Sequence, residues 1–183
     1  MQKDTIDAST IGILADTHDD ICPWEQVLEK IRSALDGVDA IIHCGDICSA
    51  KAIEDLAAIA PVYAVRSGMD PTASPPTLVD GPRVLVTPTA TLGVVNALDA
   101  EALDLKLGSS IEFGSVSADA VCERLFEEGV DVLIFGGTHV ACLADQGGKV
   151  FINPGSPSLA ETTSLARLTL TQGGIIPELV TLA

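Results

Sequence analysis

Aromatic residues are scarce in this 183-residue chain: one Trp, one Tyr and four Phe. A core of any size must therefore be built from Ala, Val, Ile and Leu, and the apolar content of 47% is enough to build one. Basic residues are scarce too. Ten Lys and Arg against 26 Asp and Glu leave a formal charge of -16, and a field of that sign repels nucleic acid and anionic membrane surfaces. The same acid-rich, lysine-poor surface would suit a high-salt cytoplasm. No apolar run approaches the length of a membrane span. The five cysteines (Cys22, Cys44, Cys48, Cys122, Cys142) contain no C-x-x-C pair, and the first residues lack the apolar stretch of a secretory leader. Free thiols in a reducing cytoplasm are the expectation. No G-x-G-x-x-G follows the first apolar run, which excludes a Rossmann dinucleotide fingerprint.

What the chain does have is a series of short apolar runs that end in polar clusters. Ile11-Gly12-Ile13-Leu14-Ala15 reads as a buried strand and stops at Asp16-Thr17-His18. Residues two apart in extended chain project to the same side, so Asp16 and His18 could reach one ion. The plainer alternative is an ordinary strand exit with Asp16 capping the turn. Pro23 suits a first helical turn, and Trp24, Val27, Leu28, Ile31 and Leu35 recur at helical spacing up to Asp36-Gly37. A second strand over residues 40–43 ends in His43-Cys44-Gly45-Asp46, and Ser49 caps a second helix. A third strand over 61–65 ends in Arg66-Ser67-Gly68-Met69-Asp70. This β-α-β-α-β order predicts parallel strands with crossover helices, whose functional groups gather at the carboxyl ends.

Residues 71–81 read as a Pro-rich loop, and residues 83–87 with 92–96 as a hairpin. Residues 98–115 are expected to be a loop or a short helix. Ser117 caps a third helix that Gly129 stops, and a buried strand over 131–135 ends in Gly136-Gly137-Thr138-His139. Strands are expected around residues 140–144 and 150–152, then Asn153-Pro154-Gly155-Ser156, then a closing hairpin over 165–182. No domain boundary appears, so a single domain over 1–183 is expected.

The chain has three histidines, each at or beside the carboxyl end of an expected strand. Asp16, His18, Asp46 and His139 make a plausible set of mixed oxygen and nitrogen donors for one cation. Asp16-x-His18, Gly45-Asp46, the loop at Gly68 and Gly136-x-x-His139, taken in order, resemble the calcineurin-like metallophosphoesterases, in their small single-domain branch. Val65-Arg66 and Asn153-Pro154-Gly155-Ser156 extend the resemblance over nearly the whole chain. It implies a four-layer α/β/β/α sandwich of two mixed sheets flanked by helices. It also implies two metal ions roughly 3.5–4 Å apart that clamp a phosphoryl group. Asp16, His18 and His139 would hold the first ion, and Asp46 would bridge both.

The second ion would need the Asn of a Gly-Asn pair, the His of a His-Gly pair and the first His of Gly-His-x-His. This chain departs at all three: Ser67-Gly68, Asn96-Ala97 and Gly136-Gly137. A different register would put Pro88 rather than Asn96 at the His-Gly position; Asn96 is preferred because its amide oxygen could still serve as a ligand. One ion is therefore expected rather than two, manganese first, with iron, zinc or nickel as alternatives. Asp46 and His43 are the candidate catalytic residues, although His43 could equally hydrogen-bond beneath the strand end. The expected activity is slow hydrolysis of a small organic phosphate ester. The alternative is an inactive scaffold for a protein partner or a second copy of the chain. A phosphoacceptor receiver domain fits less well, because no Lys follows a late strand.

Overall fold

The computed structural model describes residues 1–71 and 77–183. Among these residues, fourteen strands and three helices follow in the order β1 (Gln2–Thr5), β2 (Thr10–Leu14), α1 (Trp24–Ala34), β3 (Ala40–His43), α2 (Ala50–Ala57), β4 (Val62–Val65) and β5 (Leu78–Val79). Next come β6 (Arg83–Val86), β7 (Thr91–Val94), β8 (Leu105–Leu107), β9 (Ile111–Phe113) and α3 (Ala118–Phe126). The chain closes with β10 (Val132–Ile134), β11 (Cys142–Gln146), β12 (Lys149–Asn153), β13 (Ser164–Thr171) and β14 (Gly174–Thr181).

Two mixed six-stranded sheets carry the fold, ordered β1-β6-β7-β10-β12-β11 and β14-β13-β2-β3-β4-β5. Strands β2, β3 and β4 pair in parallel through the crossover helices, as their alternation with helices predicts. Between the sheets lies an aliphatic layer that includes Ile11, Ile13 and Ile42 from one sheet and Leu92, Val94, Ile134 and Ile152 from the other. On the outer face of the second sheet, α1 and α2 bury Trp24, Leu28, Ile31, Ile53 and Leu56 against Ile41 and Val62. On the outer face of the first, α3 sets Val121, Cys122 and Phe126 against Leu133, Phe135 and Phe151. The four-layer α/β/β/α sandwich is thus the architecture of this chain, with few aromatics and a core of branched aliphatics.

The helix caps follow the sequence. The Ser49 hydroxyl accepts the Ala52 N–H, and the Ser117 hydroxyl accepts the Ala120 N–H. Three features depart from expectation. Strand β1 is polar and largely exposed, so it has no alternation to read; it exists because it pairs in parallel with β6 on the sheet edge. The segment expected to be loop or short helix folds instead as the β8–β9 hairpin, whose three-residue strands are too short to show a period. The Pro-rich loop contains the two-residue β5; the expectation for residues 72–76 lies outside the described residues. All five cysteines are free thiols. Among the described residues, no helix is long and apolar enough to cross a membrane.

Candidate metal centre

The carboxyl ends of β2, β3 and β4 in one sheet meet those of β7, β10 and β12 in the other, and the loops leaving them are laced together. The Asp16 N–H donates to the Gly45 carbonyl at 3.1 Å and the His18 N–H to the Asp46 carbonyl at 2.9 Å, which joins the loops after β2 and β3. Across the sheets, the Asp16 carboxylate accepts the Gly137 N–H at 2.9 Å and the His139 N–H at 3.2 Å. Ser156 and Ser158 donate to the carbonyls of Asp16 and Thr17 at 2.7 and 2.6 Å. Asn153 binds the Thr138 hydroxyl at 3.0 Å. The segment 153–158 therefore braces both the loop that carries Asp16 and His18 and the loop that carries His139.

Backbone strain marks the same place. Among the described residues, positive φ in a non-glycine residue occurs at Asp16, His18, Asp46, Cys48 and His139, and elsewhere only at Asp104 and Glu127. Each such residue costs on the order of 1–3 kcal/mol, and such costs persist where surrounding bonds over-determine the conformation. All four residues read from the sequence as ligands of one ion are in this set.

Asp16 and His18 are buried, while Asp46 and His139 are partly exposed. His18 Nε2 and His139 Nε2 face each other at 3.3 Å. Two nitrogen ligands about 2.0–2.1 Å from one tetrahedral ion would stand about 3.3 Å apart, so the spacing suits joint ligation. Burial raises the Asp16 carboxyl above its usual range; the Gly137 N–H and the His139 imidazole oppose this, and the Asp46 charge adds to it. Carboxylates crowded in this way favour a cation. The four residues nevertheless do not close into a compact cage. Among the described residues, the group of three donor side chains within 4.8 Å of one another is His18, Asp20 and Cys48.

Of the two roles open to His43, the geometry favours support beneath the strand end. His43 is fully buried, its Nδ1 accepts the Gly45 N–H at 3.1 Å, and its Nε2 lies 2.5 Å from the Thr17 hydroxyl. An accepting Nδ1 fixes the proton on Nε2, so the ring is neutral and donates to Thr17. Burial pushes its pKa down to about 4. With both nitrogens committed, His43 supports the loops from beneath.

Asp70 is the residue that sequence reasoning missed. Its carboxylate accepts the backbone N–H groups of Asp46, Ile47, Cys48 and Ser67 at 2.7–3.1 Å. Burial works against its charge, but the N–H groups of Ser67, Cys48 and Ile47 outweigh it and hold the carboxyl below the usual range. Its sequence signal, an acid three residues after Ser67, is too common to single out.

Asn96 stands just beyond β7, with its carbonyl accepting the Gly136 N–H and its Nδ2 donating to the Cys44 carbonyl at 2.7 Å. It therefore lies at the site. Pro88 sits in the β6–β7 turn at the other end of the sheet, beside the start of β10, where the Thr91 N–H binds Asp131. The Asn96 side chain stays near the ligands but spends its donor on the loop after β3. Gly45 is obligatory beneath it: φ is +96, and a Cβ there would stand 2.7 Å from Asn96 Nδ2. Gly137 has φ +80, and a Cβ on it would meet the Ala97 methyl at 2.7 Å, whereas one on Gly68 would meet nothing.

Comparison with known proteins supplies the lineage. Residues 10–173 match the Calcineurin-like phosphoesterase superfamily domain. A probable metallophosphoesterase of Methanocaldococcus jannaschii is 31% identical over 157 residues, covering 81% of this chain and 68% of that protein. Among solved structures, an archaeal phosphodiesterase superposes with TM-score 0.66 at 17% identity, over 93% of this chain and 99% of its own. Vps29 from Entamoeba histolytica, solved with Zn2+, superposes with TM-score 0.63 at 20% identity, over 95% and 99%.

Proposed function

Since the chain belongs to the calcineurin-like phosphoesterase superfamily, we propose that it is a slow, metal-dependent phosphoesterase working from one metal half-site. Membership implies a divalent metal. The proposed ligands of a single ion are Asp16, His18, Asp46 and His139, with Asn96 a neighbour of weaker claim. The observation that carries this reading is the 3.3 Å approach of His18 Nε2 and His139 Nε2, with Asp16 and Asp46 in the same left-handed backbone on the adjoining loops. Manganese is the expected ion; zinc, iron and nickel suit the same mixed donors.

A divalent cation held there supplies Lewis-acid polarisation of a phosphoryl oxygen. The chain's own residues do the positioning. Asp16, held by the N–H groups of Gly137 and His139, fixes the loop after β10 against the loop after β2. Asp70 gathers the N–H groups of the loop that carries Asp46. His139 also lines a cavity of about 410 Å³ with Val140, Ala141, Glu161 and Leu179, mixed walls that suit the organic part of a small phosphate ester.

Where a second ion would need Asn and two His, the chain offers Gly68, Asn96 and Gly137, and Ala97 crowds the last of these. With no second cation opposite, charge on the leaving oxygen goes unneutralised, and slow turnover follows. The same depletion favours one alternative, a scaffold for a protein partner or a second copy of this chain; Vps29 shares the fold.

Hydrolysis of bis(p-nitrophenyl) phosphate, with Mn2+, Fe2+, Zn2+ or Ni2+ added singly, tests the proposal. Metal-dependent turnover should fall about a thousandfold in Asp46→Asn, equivalent to about 4 kcal/mol. Turnover unaffected by that change, or absent with every metal, would support the scaffold reading.

A further inference from the structure

His18 presents its two ring nitrogens to different neighbours. Nε2 faces His139, while Nδ1 lies 3.7 Å from Cys48 Sγ. Asp20 adds a carboxylate oxygen, so that the three donor atoms all lie within 4.8 Å of one another. We infer that His18 Nδ1, Cys48 Sγ and Asp20 form a second cation position, a thiolate-containing site for zinc on the far edge of His18 from the phosphoesterase ligands.

Spacing and chemistry both point to zinc. Zn–S near 2.3 Å and Zn–N near 2.0 Å at the tetrahedral angle put sulfur and nitrogen about 3.5 Å apart, against 3.7 Å here. One thiolate, one imidazole and one carboxylate form a borderline-soft set that prefers zinc to manganese. Coordination would form an S–Zn bond and release the thiol proton to solvent, and thiolate and carboxylate together would neutralise the dication.

The three groups are also held in place before any ion arrives. His18 is 5% exposed, and within the described residues Cys48 Sγ is the partner of its Nδ1. The Cys48 N–H is tied to Asp70 at 3.0 Å. The Asp19 carboxylate accepts the Ser49 N–H at 3.1 Å, clamping the segment that bears Asp20 to the one that bears Cys48. Asp20 is exposed and Cys48 half-exposed, which leaves a face open for water as fourth ligand. A neutral imidazole has a single free lone pair, so ions on the two edges of His18 compete. The site needs nothing from the phosphoesterase reading beyond a shared His18.

Cobalt(II), titrated into the reduced full-length chain, reports on sulfur directly. A near-ultraviolet sulfur-to-cobalt charge-transfer band should appear and saturate at one equivalent. It should be absent in both Cys48→Ser and Cys48→Ala, persist in Asp46→Asn, and require about tenfold more cobalt in Asp20→Asn. Zinc should likewise shield Cys48, identified by peptide mass, from iodoacetamide in the wild-type chain. No band in the wild type, a band that survives loss of Cys48, or no protection by zinc would overturn the site. A band lost in Asp46→Asn but indifferent to Asp20→Asn would overturn this ligand set while leaving the phosphoesterase proposal standing.

Discussion

The two halves of the site are made from the same kind of element, a loop leaving the carboxyl end of a buried strand, yet they are finished differently. On the half carried by β2, β3 and β10, donor side chains at Asp16, His18, Asp46 and His139 sit in strained backbone, and bonds from Gly137, Ser156 and Asp70 hold the loops in place. On the half at the ends of β4, β7 and β10, Gly68 has no side chain, Asn96 donates to the Cys44 carbonyl, and Gly137 is pressed by the Ala97 methyl. Here the left-handed backbone coincides with the donor side chains, and small residues pack closely on the other side. Ala97 and Gly137 meet closely: a Cβ on Gly137 would stand 2.7 Å from the Ala97 methyl.

The sharpest way to break this comparison is Asp70→Ala. Asp70 follows the Gly68 loop but holds three N–H groups of the Asp46 loop, so it couples the two sides. Stranding those donors and the Ser67 N–H should lower unfolding free energy by about 4 kcal/mol and weaken metal uptake, read by urea titration and elemental analysis. Unchanged uptake would mean that the two halves are built independently.

Acid tests the support under the loops after β2 and β3. His43 titrates at about 4 in the folded chain against about 6.5 unfolded. Between those values the unfolded chain binds the extra proton, so stability is whole above pH 6.5 and falls as pH drops toward 4, by about 3 kcal/mol. Asp16, whose carboxyl is raised by burial, acts in the opposite sense. Urea midpoints of the metal-free chain should therefore be compared with those of His43→Gln, whose amide can keep both hydrogen bonds. A flatter profile in the variant is expected; an equally steep one would place the acid sensitivity elsewhere.

The smallest effect concerns the contact between Ala97 and Gly137. Gly137→Ala should cost about 2 kcal/mol through its positive φ and the methyl contact, and Ala97→Gly should recover about half of that in the double variant. Gly68→Asn, with open space around its Cβ, should stay within about 0.5 kcal/mol of wild type. Strict additivity of the first pair would show that Ala97 and Gly137 are not fitted to each other. Restoring a second set of ligands would accordingly need Ala97→Gly alongside Gly68→Asn, Asn96→His and Gly137→His.

Much of this was legible along the chain. Ile11 to Leu14, Ala40 to His43 and Val132 to Ile134 are apolar runs bounded by polar residues, and Ser49 and Ser117 are caps; each is a local signal with a local cause. The four ligand candidates could be read because each stands at the end of such a run. Strand β1 and the β8–β9 hairpin could not, since a polar edge strand and three-residue strands have no period and owe their pairing to distant neighbours. Asp70 escaped for a related reason: its bonds reach back more than twenty residues to the loop after β3. The role of His43 was left open by the sequence, because a histidine at a strand end can point up into a site or down beneath it. Its burial and its bonds to Gly45 and Thr17 resolved that.

Composition and order by themselves determined the aliphatic core, the alternation of strand and helix, and the presence of Asp16, His18, Asp46 and His139 at strand ends, because these follow from short-range periodicity. Only the tertiary structure decided which of those side chains meet. The 3.3 Å His18–His139 approach, the turn of His18 Nδ1 toward Cys48 and the press of Ala97 on Gly137 all join residues from loops far apart in sequence. Two packed sheets bring such loops together, and no local pattern records the distance between them.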